Sequence, residues 1–338
     1  MEILMNIPIR LEDRLEIILI TYNRSTFLAA TLQMLEPSPF QQCHITVLDN
    51  CSPDETGNTI QTFQSVLPNL TYIRNRLNIG GNPNYLKAIE LSSSEYTWIL
   101  CDDDILDFSD CDDVIEAVES GRFDMIEVGA TERGDWPRGI AATVNSMLEQ
   151  GLDYHFRMSF FPAYIFRTAL FDSACFCWGY KNIDRLYPQF EFLNKSAREN
   201  FSIYLAKNRI VTRNDVNDHS FTPLFWYVSW VECCKTIIDA ELRVRTIEHA
   251  TNDRGFFKSL CFWSILDKNI CNDGEFGFRV IRILRVMNWK QRLKYLLVLP
   301  FVILPLPLTF WVWVRTKLYN LMNIPPEDVP PLNFVNRG

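Results

Sequence analysis

The sequence predicts an α/β fold: a mostly parallel sheet flanked by helices, followed by a helical C-terminal region. Three observations carry this. Short apolar runs alternate with helical stretches from Leu15 to Cys101, the signature of β-α-β units and a parallel sheet. Several of these runs end in Asp, Asn or Thr, at the strand ends where open α/β sheets bind ligands. After about residue 220 the pattern changes to aromatic-rich helices, such as 223–238 and 255–270. The chain therefore divides into a 1–220 α/β domain and a 221–338 helical region.

The elements follow in order. Residues 15–20 read as a strand broken only by Glu16, and Thr21-Tyr22-Asn23-Arg24 is the turn after it. Ser25 is placed to cap a helix running to about Leu35. A second strand, 44–48, ends in Asp49-Asn50-Cys51-Ser52-Pro53-Asp54, and a helix over 55–67 follows. A third strand covers 70–74. Asn78-Ile79-Gly80-Gly81-Asn82 is a turn into a helix over 83–91 with Pro83 early. The fourth strand is 96–101. Beyond it, 112–120 reads as helix and 125–129 and 161–166 as strands. A helix over 188–205 and a last strand over 210–213 complete the first domain.

Composition narrows the function classes. With 48% hydrophobic and 22% charged residues, the chain can bury a real core. Its net charge of −8 argues against general nucleic-acid binding. Ten cysteines are scattered with no CxxC pair, which disfavours structural zinc and fits buried thiols in a reducing cytoplasm. Met1 to Arg14 carries acids and reads as no secretory signal. The charge is uneven: from Phe276 to Pro326 there is no acid, but eight Lys or Arg.

The most informative feature is Asp102-Asp103-Asp104, directly after the fourth strand. Carboxylates this close repel one another unless a cation joins them. Oxygen ligands suit Mg²⁺ or Mn²⁺, which commonly link one or two carboxylates to substrate phosphates. The triplet alone serves a metal–diphosphate site and a solvated acidic turn equally well.

Four motifs together weigh more. Ile20-Thr21-Tyr22-Asn23-Arg24, Val47-Leu48-Asp49-Asn50-Cys51-Ser52-Pro53-Asp54, Asn78-Ile79-Gly80-Gly81-Asn82 and Ile99 to Leu106 occur in this order. Together they resemble family 2 glycosyltransferases of the GT-A fold, strongly over 15–110 and fading toward 215. The nearest flavour is bacterial O-antigen or surface-polysaccharide enzymes of abequosyl- or rhamnosyltransferase type. The resemblance implies inverting, Mn²⁺- or Mg²⁺-dependent transfer from a nucleotide sugar to a hydroxyl of a polyprenyl-diphosphate-linked saccharide. It implies that Thr21, Tyr22, Asn23 and Arg24 lie under the nucleotide base and that Asp49 hydrogen-bonds the base. The alternative role of Asp49 is that of a turn aspartate. Asn78 and Gly80 would bring backbone close to the nucleotide. Asp102 falls on the ribose or metal side, Asp103 beside it, and Asp104 on the metal. Where the family often has Asp-x-Asp-Asp, this chain has Cys101 in the first position.

An inverting transferase also needs a carboxylate base. The matching segment is Tyr187 to Leu193, which makes Glu191 the candidate, with Asp184 as the alternative. A Glu in a first helical turn also simply stabilises the helix N-terminus. His219 would be an additional metal or phosphate ligand, or a loop histidine. Residues 295–314 form an uncharged stretch containing Pro300, Pro305 and Pro307. With the basic residues before it, this predicts a membrane-associating segment over about 279–320 on the cytoplasmic face of the inner membrane, peripheral or monotopic. Two other classes compete. A sugar-phosphate nucleotidylyltransferase would want a Gly-rich basic loop after the first strand, which Thr21 to Arg24 is not. A catalytically inactive membrane-bound assembly partner would not need the intact triplet.

Overall fold

The structure is a computed structural model. It describes residues 9–129, 136–214 and 223–251, with 281, 284, 285, 289, 292, 293 and 296 beyond them. The chain forms two compact units, Met1–Asn214 and Asp215–Gly338.

In the first unit a one-turn helix α1 (Leu11–Arg14) leads into β1 (Leu15–Thr21). There follow α2 (Ser25–Leu35), β2 (His44–Asp49), α3 (Thr56–Phe63), β3 (Leu70–Arg74), α4 (Gly81–Leu91) and β4 (Tyr96–Cys101). The second half contains β5 (Ile105–Leu106), α5 (Asp112–Ser120), β6 (Met125–Glu127), β7 (Ile140–Thr143), α6 (Val144–Glu149) and α7 (Tyr154–Arg157). It ends with β8 (Tyr164–Arg167), α8 (Ser173–Lys181), α9 (Phe190–Arg198), β9 (Ser202–Leu205) and β10 (Val211–Thr212).

Eight strands make one sheet in the order β3-β2-β1-β4-β8-β6-β9-β7. The first four are parallel, while β8 runs antiparallel to both β4 and β6. The expected parallel sheet is thus mixed on its second side. The chain steps from β1 out to β2 and β3, then returns to the other side of β1 with β4. That reversal creates a crevice at the carboxyl ends of β1 and β4, where doubly wound sheets bind nucleotides. Side-chain alternation feeds two cores. Ile17 and Leu19 pack with α2, α3 and α5, through Leu28, Leu32, Ile60 and Val114. Ile18 and Ile99 face the other core, with Tyr85 and Leu86 of α4 and Phe192 of α9. Glu16, the break in the first apolar run, is buried and accepts from Thr46 Oγ1 (2.8 Å) and Ser92 Oγ (3.0 Å).

Several expectations are corrected. Ser25 does not cap α2; its own N–H donates to Asp54 Oδ2 at 2.8 Å, so the cap comes from the next strand's turn. The helix expected over 55–67 stops at Phe63 and closes through turns. The helix expected over 188–205 is two elements: α9 ends at Arg198, Asn200 adopts φ 54°, and β9 begins at Ser202. Asparagine tolerates that left-handed geometry and breaks the helix there. The strand expected over 161–166 begins as a 3-10 turn and pairs from Tyr164 to Arg167.

The second unit contains α10 (Pro223–Cys234) and α11 (Ala240–Thr251), with Trp230, Cys233 and Cys234 buried. Among the described residues no helix is long and apolar enough to cross a membrane. The expected helix at 255–270, His219 and most of the 279–320 segment lie outside the described residues.

Candidate functional site

The site is assembled by strand register. Thr21, Asp49 and Arg74 end their strands as lateral neighbours, and Ile20 pairs with Cys101. Asp102 therefore emerges beside Thr21. Its carboxylate accepts from Thr21 Oγ1 at 2.6 Å and from Arg24 Nη1 at 3.2 Å. The same Arg24 nitrogen donates to Asp103 Oδ2 at 2.8 Å. Thr31 Oγ1 holds the Asp102 carbonyl at 2.8 Å, tying α2 to the end of β4. Asn23 has φ 56° and its N–H donates to Ser52 Oγ, which draws the turns after β1 and β2 together. Tyr22 remains exposed at the rim.

Asp49 is fully buried, and both of its oxygens are engaged. Oδ1 accepts from the Ser52 N–H at 2.8 Å; Oδ2 accepts from Tyr72 Oη at 2.7 Å and Arg74 Nη1 at 3.2 Å. Its carboxylate thus orients a tyrosine and an arginine at the end of β3.

An asparagine network not anticipated from sequence builds the third wall. Asn50 donates to Asn78 Oδ1 (2.8 Å) and the Gly80 carbonyl (3.2 Å), and accepts from the Ile79 N–H (3.0 Å). Asn75 bridges Asn50 and Asn84 at 3.0 and 2.7 Å. Gly80 has φ 88°, a conformation that favours glycine, so the turn can reverse into α4. The available signal was the repeated placement of Asn just past strand ends.

Asp104 stands apart. It is buried, and its Oδ2 has no hydrogen-bond partner. Burial raises its carboxyl to about 8, with the fields of Asp103 and Asp102 adding and a Cys101 hydrogen bond and Arg213 opposing. Burial likewise raises Asp102 to about 6, against the pull of Thr21 and Arg24. An orphaned oxygen among three adjoining carboxylates suits a hard divalent ion such as Mg²⁺ or Mn²⁺. Among the described residues no three His, Cys, Asp or Glu side chains form a metal cage by themselves. Asp104 would then supply one or two positions and leave the others to phosphate oxygens and water.

The two candidate bases have different surroundings. Glu191 is engaged within its own helix, through Arg198 Nη2 at 2.8 Å and Asn194 Nδ2 at 3.4 Å. Asp184 lies exposed in the turn after α8. The carbonyls on either side of it, Ile183 and Arg185, both accept from Asn82 Nδ2. Asn82 closes the same Asn/Gly turn that Asn50 holds. The structure thus brings Asp184's turn to the site's third wall, while Glu191's hydrogen bonds stay within α9.

A sequence model of glycosyl transferase family 2 matches residues 16–184, half of the chain. No curated protein sequence matches. Among solved structures, S. aureus TarS is similar with TM-score 0.52 and 16% identity, over 82% of this chain and 50% of that one. TarS 1–349 in complex with UDP-GlcNAc gives TM-score 0.48 and 16% identity, over 87% and 82%. The mannosyltransferase PcManGT from Pyrobaculum calidifontis, in complex with GDP-Man and Mn²⁺, gives 0.49 and 12%, over 92% and 88%. At these identities the likeness is one of fold.

Proposed function

The chain belongs to glycosyl transferase family 2 and has the GT-A fold, and from that premise we propose an inverting, metal-dependent transfer of a sugar from a nucleotide-sugar donor to a hydroxyl of a lipid-linked saccharide, in O-antigen or related surface-polysaccharide synthesis. The observation that carries this reading is Asp104. A buried carboxylate with one unbonded oxygen, at the switch point of a doubly wound sheet, is costly unless a ligand completes it.

The remaining residues take roles around it. Thr21 and Arg24 fix Asp102 and Asp103, so those carboxylates meet the donor in one orientation. The Asn78–Gly80 turn and the Tyr72–Arg74 pair held by Asp49 border the nucleoside. A bound Mg²⁺ or Mn²⁺ supplies charge neutralisation for the diphosphate.

In the transfer, the acceptor oxygen bonds the anomeric carbon as its proton passes to a protein carboxylate. The bond from that carbon to the β-phosphate oxygen breaks, and its electron pair leaves with the nucleoside diphosphate. Asp184 is the better-supported base. Its turn is tethered to the donor-side loop by Asn82, whereas the hydrogen bonds of Glu191 stay within α9.

A lipid-linked acceptor fits the basic C-terminal run. Exposed Ile281, Trp289, Leu293 and Leu296 alternate in sequence with Arg285 and Arg292. Apolar residues set among cations support binding to an anionic inner-membrane surface. Co-sedimentation with anionic but not neutral vesicles is expected; recovery in the supernatant with both would remove the membrane from the reading.

The test of the function is titration of UDP, GDP, CDP and dTDP into the full chain, with Mn²⁺ and with chelator. Binding of one nucleotide that needs metal and is lost in Asp104→Asn is expected. A folded protein that binds none of the four refutes the transferase reading.

A further inference from the structure

The asparagine network that holds the Asn78–Gly80 turn ends on a cation to which the donor reading gives no role. Lys87 lies half-buried on α4, and its Nζ donates to Asn75 Oδ1 at 2.6 Å. Asn75 follows β3, and its N–H donates to the Asp49 carbonyl at 2.8 Å. Its side chain then donates to Asn50 and Asn84, at 3.0 and 2.7 Å. Asn50 passes the polarity on. Its Nδ2 donates to Asn78 Oδ1 and to the Gly80 carbonyl, and its Oδ1 accepts from the Ile79 N–H. Asn78 Oδ1 also accepts from the Gly80 N–H at 2.9 Å, which closes the turn. Asn50, Asn75 and Asn84 are all buried. The chain of hydrogen bonds thus runs one way, from the ammonium through Asn75 and Asn50 to the turn.

That direction has a physical cause. A side-chain amide has nearly the same shape either way round, but its oxygen only accepts and its nitrogen only donates. An ammonium only donates, so Lys87 requires the oxygen of Asn75 to face it. A reversed Asn75 would set its NH2 against the ammonium and its oxygen against those of Asn50 and Asn84. Asn75 in turn holds Asn50 by its oxygen, which leaves the Asn50 NH2 aimed at the turn. We propose that Lys87 is a positioning residue for the donor: it sets the hydrogen-bond direction of the Asn75–Asn50–Asn78 chain and so holds the Asn78–Gly80 turn in its binding conformation. This rests on that turn bordering the nucleoside, as proposed above. Lys87 acts through two buried side chains rather than by touching the nucleotide. Without it, the buried Asn75 oxygen loses a charged donor, which is costly unless the amide reverses and breaks the chain. Asn82, which closes the same turn, donates to the carbonyls of Ile183 and Arg185. A displaced turn would therefore also release the segment that carries Asp184.

The experiment is calorimetry of the full chain in Mn²⁺, with whichever of UDP, GDP, CDP and dTDP the wild type binds. The variants are Lys87→Met, Lys87→Arg, Asn78→Ala and the double variant Lys87→Met with Asn78→Ala, each followed by thermal melt. Lys87→Met keeps a long side chain and removes the donor, and affinity is expected to fall about tenfold. Lys87→Arg restores an N–H donor and is expected to return affinity to within about threefold of wild type. Asn78→Ala cuts the same chain at its other end. The double variant is therefore expected to bind within about twofold of the weaker single variant. A lysine that serves only stability would lower the melt and leave affinity within about twofold, and that result overturns the proposal. Losses that multiply in the double variant also overturn it, because they would make Lys87 and Asn78 act independently. Should Lys87→Met not fold, Asn75→Asp takes its place: it keeps an acceptor for Lys87 and removes the donor to Asn50. A wild type that binds none of the four removes the donor site itself, whereas binding that Lys87→Met leaves unchanged removes only the role of Lys87.

Discussion

The two halves of the large sheet solve different problems. The half from β1 to β4 is parallel, and Thr21, Asp49, Arg74 and the Asp triplet lie together at the carboxyl ends of its strands, while Glu16 is buried near the opposite ends. The half from β6 to β9 is mixed, and it places its charges inside. Glu127 is fully buried, bonded to Arg157 at 2.9 Å and Arg138 at 2.9 Å, with Arg157 stacked over Trp136. In the first half the buried Asp104 carboxylate has one oxygen without a hydrogen bond. In the second, both oxygens of Glu127 are paired, by Arg138 and Arg157, although Arg157 Nη1 is itself left without a hydrogen bond. Polar groups at a sheet's edge therefore read as chemistry, and those within it as architecture.

The sharpest way to break this comparison is at its seam, where Asn82 joins the two halves. If Asp184 is the base, Asp184→Asn is expected to lower kcat by about 10²–10⁴ while leaving nucleotide affinity unchanged. Glu191→Gln is expected to change kcat by less than about threefold, since it removes a half-exposed pair with Arg198 within α9. The reverse ranking, measured with the same donor, would move the base onto α9 and dissociate Asn82 from catalysis.

The architectural half is tested by stability. Removing one member of a buried pair leaves the other charge uncompensated, so Arg157→Met is expected to cost about 3–5 kcal/mol in chemical denaturation. Nucleotide affinity should be retained wherever the variant is folded. A loss below about 1 kcal/mol would mean that water or Arg138 alone suffices for Glu127.

How much was legible follows the same division. Parallel strands buried on both faces read as unbroken apolar runs, so β1 to β4 stand out in the sequence, and the residues just past them mark the ligand edge. In the second half β7 is exposed or half-buried and offers no apolar run. Residues 188–205 carry one continuous apolar pattern, yet Asn200 divides them into α9 and β9. Period alone cannot register a single left-handed residue. At the site, Asp102, Asp103 and Asp104 were visible as a cluster with roles implied by the resemblance, but not which of them the protein itself holds. That depends on Arg24 and Thr21, which lie some eighty residues earlier and claim the first two carboxylates.

A further test separates the two kinds of buried acid by their response to pH. Asp104 titrates near 8 in the folded chain, and an unfolded aspartate near 3.9. Between those values the native state holds a proton that the unfolded chain has released. Metal-free stability should therefore be fully present below about pH 4 and decline toward pH 8, by on the order of 1 kcal/mol per unit at its steepest. Asp102, raised to about 6, adds to the lower part of that window. Asp104→Asn leaves only the Asp102 part of the decline, because the amide carries no charge to bury, and should flatten the slope while raising stability at pH 7. Mn²⁺ should act in the same direction on the wild type, since an ion that displaces the proton turns the buried charge from a cost into a ligand. Urea midpoints at pH 5 and 8, with metal and with chelator, measure all three curves. A wild-type slope that Asp104→Asn leaves unchanged would mean that the carboxylate is already compensated without a ligand, and the contrast between Asp104 and the doubly paired Glu127 would fail.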